Sequence, residues 1–235
     1  MNTYRVRALV LASSLALLFS LWLWVPAGDA WTGDSCGAST FPATGQDVSF
    51  GTSTTTQTGA PVNDDGLVRA GGALRYQDNL DGTITDLNTG LMWEKKSMDG
   101  TDHDVTKVFP WSSLFQATIW DWIDAINTEV ANGIGFAGFN DWRIPNVKEL
   151  QSIIDYGTFN PTVDVAFNNG LMGPCTVLSC SRTASAIYWT STTYAVSTTG
   201  AWNVNFFDGD VNKIDVGGLK SVSNRVRAVR GGCLP

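Results

Sequence analysis

The spacing of apolar residues changes period twice along this chain, and any fold that buries its core has to follow those changes. Leu74-Arg75-Tyr76 and Thr83-Ile84-Thr85 alternate on either side of the turn residues Asn79-Leu80-Asp81-Gly82. Leu91-Met92-Trp93-Glu94 follows a second turn, Asn88-Thr89-Gly90, so short strands are expected here. The spacing then becomes helical, with Ile119, Trp122, Ile123, Ile126 and Val130 on one face. Thr118 and Asp121 stand as a capping box at its start, and Gly133 and Gly135 end it. A second helix is expected after Pro145, capped by Asn146 with Glu149 three residues on, turning Val147, Leu150, Ile153 and Ile154 inward. Residues 157–186 show no sustained period and read as a long ordered loop. Strand patterns return at 187–189, 202–206, 211–214 and 225–229. The order predicts an α+β domain with two helices packed on short antiparallel strands.

What precedes this domain has a different character. Arg5 and Arg7, an apolar run from Ala8 to Val25 and the small-residue exit Pro26-Ala27-Gly28-Asp29-Ala30 have the order of a secretory signal. Cleavage is expected near Ala30, with an uncleaved anchor as the rival reading. Residues 31–71 are poor in apolar groups and rich in Thr, Ser and Gly, and read as an extended segment ahead of a domain at 72–235. With cleavage, no membrane span remains, and the protein is exported to the periplasm, the cell surface or the medium.

Export makes the four cysteines candidates for disulfides. Cys175 and Cys180 lie close enough for a local bridge. That leaves Cys36 with Cys233, a closure worth about 5 kcal/mol in the loop-entropy model. Zinc is disfavoured, because the one histidine, His103, and the absence of a Cys-x-x-Cys pair leave too few ligands. His103 itself stands in the polar run Asp102-His103-Asp104 and is expected in a solvated loop. A net charge of −7 argues against nucleic acid as a partner. The sequence has no Gly-x-Ser-x-Gly elbow, and a serine nucleophile would lack a suitable histidine, so no enzyme is expected.

Five segments in order carry a resemblance. They are Asp81-Gly82-Thr83-Ile84-Thr85-Asp86 with Thr89-Gly90-Leu91-Met92-Trp93; Asp141-Trp142-Arg143-Ile144-Pro145 with Lys148-Glu149-Leu150; Tyr188-Trp189-Thr190-Ser191-Thr192; Ala201-Trp202; and Val226-Arg227-Ala228-Val229-Arg230-Gly231. Together they resemble the Lcl C-terminal domain family, the terminal domain of bacterial collagen-like adhesins. The resemblance implies a C-type-lectin-like fold with adjacent chain ends and a loop-rich face, and adhesin-like attachment to sulfated polysaccharides. The collagen-like repeat is absent here and the domain is acidic, which argues against a polyanionic ligand. The same structural class includes formylglycine-generating oxidases, and Cys175/Cys180 have their cysteine spacing, but ahead of the Tyr188-Trp189 strand rather than near the closing segment.

The expected function is therefore non-catalytic recognition of a glycan or protein ligand, with a purely structural envelope role as the alternative. The candidate contacts are Tyr194, Asn203, Asn205, Asp208, Asp210 and Asn212, on a face shared with loop 157–186. Asp208-Gly209-Asp210-Val211-Asn212 spaces its oxygens like the first half of a calcium loop, but Leu219 stands where the twelfth-position acid belongs, and Asp-Gly is a strong hairpin signal. No cofactor and no metal are expected. Sugar-binding lectins that use calcium carry Trp-Asn-Asp, where this chain has Trp202-Asn203-Val204. Trp93, Trp122, Trp142, Trp189 and Trp202 read as core, and Trp111 and Trp120 as better candidates for exposure. Arg143, Arg225, Arg227 and Arg230 are candidates for an anion site, although Arg143 and Arg227 are better suited to buried carbonyls or acids.

Overall fold

The computed structural model describes residues 41–49, 64–129, 134–170, 173–213 and 217–231. The expected signal, its cleavage site and the Cys36–Cys233 bridge lie outside them, as do Val130, Gly133 and Ile214. The order of elements is α1 (Asp65–Val68), β1 (Tyr76–Asp78), β2 (Thr83–Asp86), β3 (Met92–Glu94), β4 (Val108–Pro110), α2 (Ile119–Asn127), α3 (Val147–Gln151), β5 (Ile187–Thr193), β6 (Ala201–Asn205), β7 (Val211–Asn212), β8 (Ser223–Arg225) and β9 (Val229–Arg230). This is an α+β chain dominated by strands. They form two sheets, ordered β1-β2-β3-β9 and β4-β8-β5-β6-β7. All pairings are antiparallel except β5 with β8, which meet in parallel at Tyr188 and Arg225.

Both helix starts form as their sequences dictate. Thr118 accepts from the Trp120 and Asp121 amides while Asp121 accepts from the Thr118 amide. Asn146 and Glu149 exchange the same bonds at α3. Such reciprocal pairs satisfy amides that a helix start leaves without partners. Ile119, Trp122, Ile123 and Ile126 are buried, and α2 ends at Asn127. Leu150, Ile153 and Ile154 are buried as expected, although the last two lie beyond the end of α3 and Val147 is only half-buried.

Two apolar clusters fill the interior. One gathers Ile84, Trp93, Leu150, Phe167, Tyr188, Val204, Phe206 and Val229. The other gathers Ile119, Trp122, Trp142, Trp189, Val226 and Ala228. Trp202 is only half-buried, which corrects its placement in the core, and Trp120 is 38% exposed.

The expected strand 225–229 is in fact two strands belonging to different sheets. Residues 226–228 carry the chain from β8 to β9, with Val226 and Ala228 in the second cluster and Val229 in the first. Regular alternation of apolar residues could not reveal the change of partner. Arg227 sits at this crossing, 1% exposed. Its guanidinium donates to the carbonyls of Glu94 at 2.9 Å and Arg182 at 2.7 Å, and to Thr183 Oγ1 at 2.8 Å. Each of the other three candidate arginines also has partners within the fold. Arg143 forks onto Glu149 at 2.7 and 2.8 Å, Arg230 reaches Asp141 at 2.7 Å, and Arg225 donates to the Val105 carbonyl.

His103 is buried rather than solvated, at 4% exposure. Nδ1 lies 2.8 Å from Glu94 Oε1 and Nε2 lies 3.0 Å from Glu129 Oε2, with the Phe136 ring tilted by 37° against it at 4.0 Å between centroids. Burial alone would lower its pKa, but the hydrogen bonds to Glu129 and Glu94 prevail and raise it to about 9. Burial raises the Glu94 carboxyl, yet Lys96 at 2.9 Å and His103 outweigh it and hold Glu94 below the usual range. The other Glu94 oxygen accepts from the Ala228 amide at 2.8 Å, so the same carboxylate ties β3 to the crossing segment.

Candidate functional site

The six sequence-predicted contacts do not converge. β6 runs antiparallel to β7, with Asn203 opposite Asn212 and Val204 opposite Val211. Asn203 is fully buried between strands and presents nothing to solvent. Tyr194 lies at one end of the β5–β6 hairpin, half-buried, edge-on to Trp202 at 5.6 Å and beneath the Lys213 ammonium at 5.4 Å. Asp208 and Asp210 lie beyond the other end of β6, roughly 13 Å of strand away at about 3.4 Å per residue. At the Asp208 end, Asp208 and Asp210 are both exposed. There Asp208 Oδ1 accepts from the Asp210 amide at 3.2 Å and Asn205 Oδ1 from the Phe207 amide at 3.1 Å, as in an ordinary turn.

What surrounds that turn is aromatic, and the sequence reading missed it. Phe159 and Phe207 meet edge to face at 4.7 Å while remaining 65% and 41% exposed. Tyr156, 38% exposed, donates its hydroxyl to the Gly209 carbonyl at 3.1 Å. The rings are held by backbone straps. Asn160 donates its amide to the Phe207 carbonyl at 3.2 Å, and Thr162 its amide to the Phe206 carbonyl at 2.8 Å. Thr162 adds its hydroxyl to the Phe207 carbonyl at 3.1 Å. Gly209 has a φ of +84°, and a Cβ there would stand 2.6 Å from Tyr156 Cε1, so the turn requires glycine against that ring. The one available signal was Phe159-Asn160-Pro161, an aromatic residue raised on a turn.

No lysine or arginine among the described residues makes an ion pair with Asp208 or Asp210. Asp155, beside Tyr156, has its pKa raised by burial and then by the charges of Asp164 and Asp47, against the opposing Gly157 amide. Among the described residues the surface is thus negative, with no cation paired to Asp208 or Asp210 and with ring faces in its midst.

Tyr156 also forms one wall of a cleft of about 700 Å³ between the Phe41–Thr44 segment and α3, lined by Pro42, Leu91, Lys148 and Gln151 among others. The Tyr156 amide donates to the Thr44 carbonyl at 2.7 Å, which fixes that segment across the cleft. Rings, turn and cleft are therefore continuous through one residue.

Cys175 and Cys180 are disulfide-bonded, with Cα atoms 5.9 Å apart. The bridge secures its loop beside β3, where Met98 and Cys175 exchange backbone hydrogen bonds. It does not adjoin the Asp208 turn, which instead meets the first residues of the long loop.

No curated protein matches this chain. The model of the Lcl C-terminal domain matches residues 82–230, which span both sheets from β2 to β9, the capped helices and the buried Glu94–His103–Arg227 cluster, and the chain belongs to that family.

Proposed function

We propose that the chain is an exported, non-catalytic recognition module with a C-type-lectin-like architecture. It takes a glycan or protein ligand on the surface made by Tyr156, Phe159, Phe207, Asp208 and Asp210. The carrying observation is the exposed Phe159–Phe207 pair held by backbone straps beside carboxylates that make no ion pair with a cation among the described residues. A ring face covers the C–H face of a pyranose, or an alkylammonium group, at little ordering cost once the ring is fixed. Carboxylates at its edge accept from hydroxyls or ammonium groups and repel sulfate. The adhesin association of the family supports recognition as the role, while the sign of this surface argues for neutral or cationic ligands rather than sulfated ones. The disulfide occupies the only cysteine pair among the described residues, which supports a structural use of those thiols rather than oxidase chemistry.

A glycan array run on the wild type and on Phe159→Ala and Phe207→Ala tests this, with and without a calcium chelator. Neutral or amino-bearing sugars should bind, chelator should leave them unchanged, and each substitution should weaken binding at least tenfold. Binding confined to sulfated chains, or indifferent to both substitutions, refutes the assignment.

A further inference from the structure

A second surface is built from residues 105–120 and 217–225, and its chemistry is opposite to that of the first. Leu114 and Phe115, at the tip of the loop between β4 and α2, are 91% and 97% exposed. The loop is not frayed, for the Phe115 and Gln116 amides both donate to Ser113 Oγ, at 3.1 and 3.2 Å. The Ser112 amide donates to the Lys220 carbonyl at 2.9 Å, and Pro110 pairs with Ser223, so the two segments lie side by side. Trp111 meets Trp120 edge-on at 4.9 Å, and the Lys220 ammonium sits 3.7 Å over the Trp111 ring. Leu219 and Val222, 43% and 39% exposed, extend the apolar area.

The charge pattern is the second observation. The chain carries 22 acidic against 15 basic residues, yet neither 105–120 nor 217–231 contains an aspartate or glutamate. The cations on this side are Lys107, Lys220 and Arg225. Two acids adjoin this side and keep their charge, because their hydrogen bonds come from neutral groups: Asp121 accepts from the Thr118 amide and hydroxyl, and Asp104 from the Thr106 amide and hydroxyl.

We infer that this face docks on the interface of a lipid bilayer bearing anionic headgroups, with Leu114 and Phe115 entering the acyl boundary. Two apolar side chains standing almost free on a convex tip match a soft, deformable medium better than a flat protein surface. A tryptophan pair with a cation above one of its rings suits headgroup level, where apolar body and polar neighbour are both accommodated. Lys107, Lys220 and Arg225 are attracted to anionic lipid, and the segments that carry the apolar tip and the tryptophans hold no acid of their own to oppose them. The edge strand β4 is three residues long and ends in a proline, so it offers little to a partner that would add a strand. The contact is peripheral and independent of the ligand surface proposed above.

Hydroxyl-radical footprinting of the full chain tests it residue by residue, so any vesicle binding by residues 8–25 is read separately. Labelling of Leu114, Phe115 and Trp120 should fall at least fivefold on phosphatidylcholine vesicles containing phosphatidylglycerol, with exposed Phe159 unchanged. Lys107→Glu should reduce the preference for phosphatidylglycerol, and Leu114→Ser/Phe115→Ser should abolish protection of Trp120 while leaving the fold intact. Unchanged labelling of 114 and 115 on bound vesicles overturns the inference. So does protection that grows with protein concentration in the absence of lipid, which would mean that a second copy covers the face.

Discussion

His103 leaves water and receives two carboxylates, Glu94 on one ring nitrogen and Glu129 on the other. A histidine charged in the folded state at pH values where it would be neutral in the unfolded chain makes stability depend on pH. Its folded pKa of about 9 lies above the ordinary 6.5, so the contribution is fully present below 6.5 and fades as pH rises to about 9. The size is of order 3 kcal/mol, at 1.36 kcal/mol per unit. Urea titrations across that window should show the loss, and His103→Gln should flatten it; a wild-type midpoint that stays level from neutral pH to 9 counts against the assigned protonation. The Glu94→Gln substitution should be harsher, about 3–5 kcal/mol, because Lys96 and His103 would remain buried without their shared anion. Gly209→Ala is expected to cost about 1–3 kcal/mol from the left-handed backbone and the contact with Tyr156, measurable as a fall in Tm.

Among the elements, the two capping boxes are independent tests of how local sequence holds the helices. Thr118→Ala and Asn146→Ala should each lower stability by about 1 kcal/mol in chemical denaturation, with the two effects additive. These caps were legible in the sequence because side chain and amide lie three residues apart and need nothing distant. The strands at 83–86, 92–94 and 201–205 were legible for a similar reason, since alternation and adjacent turn residues specify them locally. β4 was not, because Val108-Phe109-Pro110 is too short to alternate and is held by β8 more than a hundred residues later. The burial of His103 was hidden by its polar neighbours: Asp102 and Asp104 suggest solvent, while the residues that bury the ring, Glu94, Glu129 and Phe136, come from three other segments. The aromatic pair was missed likewise, Phe159 and Phe207 meeting only after the long loop folds back.

Across the whole molecule, the described sheets share a seam in which Glu94, Arg227 and the Ala228 amide connect β3 to the crossing segment. Strands of both sheets depend on residues 223–230, so the two clusters should lose structure together. Near-ultraviolet circular dichroism, tryptophan fluorescence and far-ultraviolet signals should follow one unfolding curve. Arg227→Met should lower the unfolding free energy by several kcal/mol, since two carbonyls and the Thr183 hydroxyl would lose their donor. Two separated transitions would show that the seam does not couple the sheets.

The crossing also sets an order of events for a chain that emerges N-terminus first. β3 waits for β9, and β4 and β5 wait for β8, so neither sheet can close until residues 223–230 are available. Until then neither apolar cluster has all of its walls, because Val226 and Ala228 belong to one and Val229 to the other. Once that segment arrives, both sheets close around it, so a chain cut short of residue 223 would forfeit both clusters rather than one.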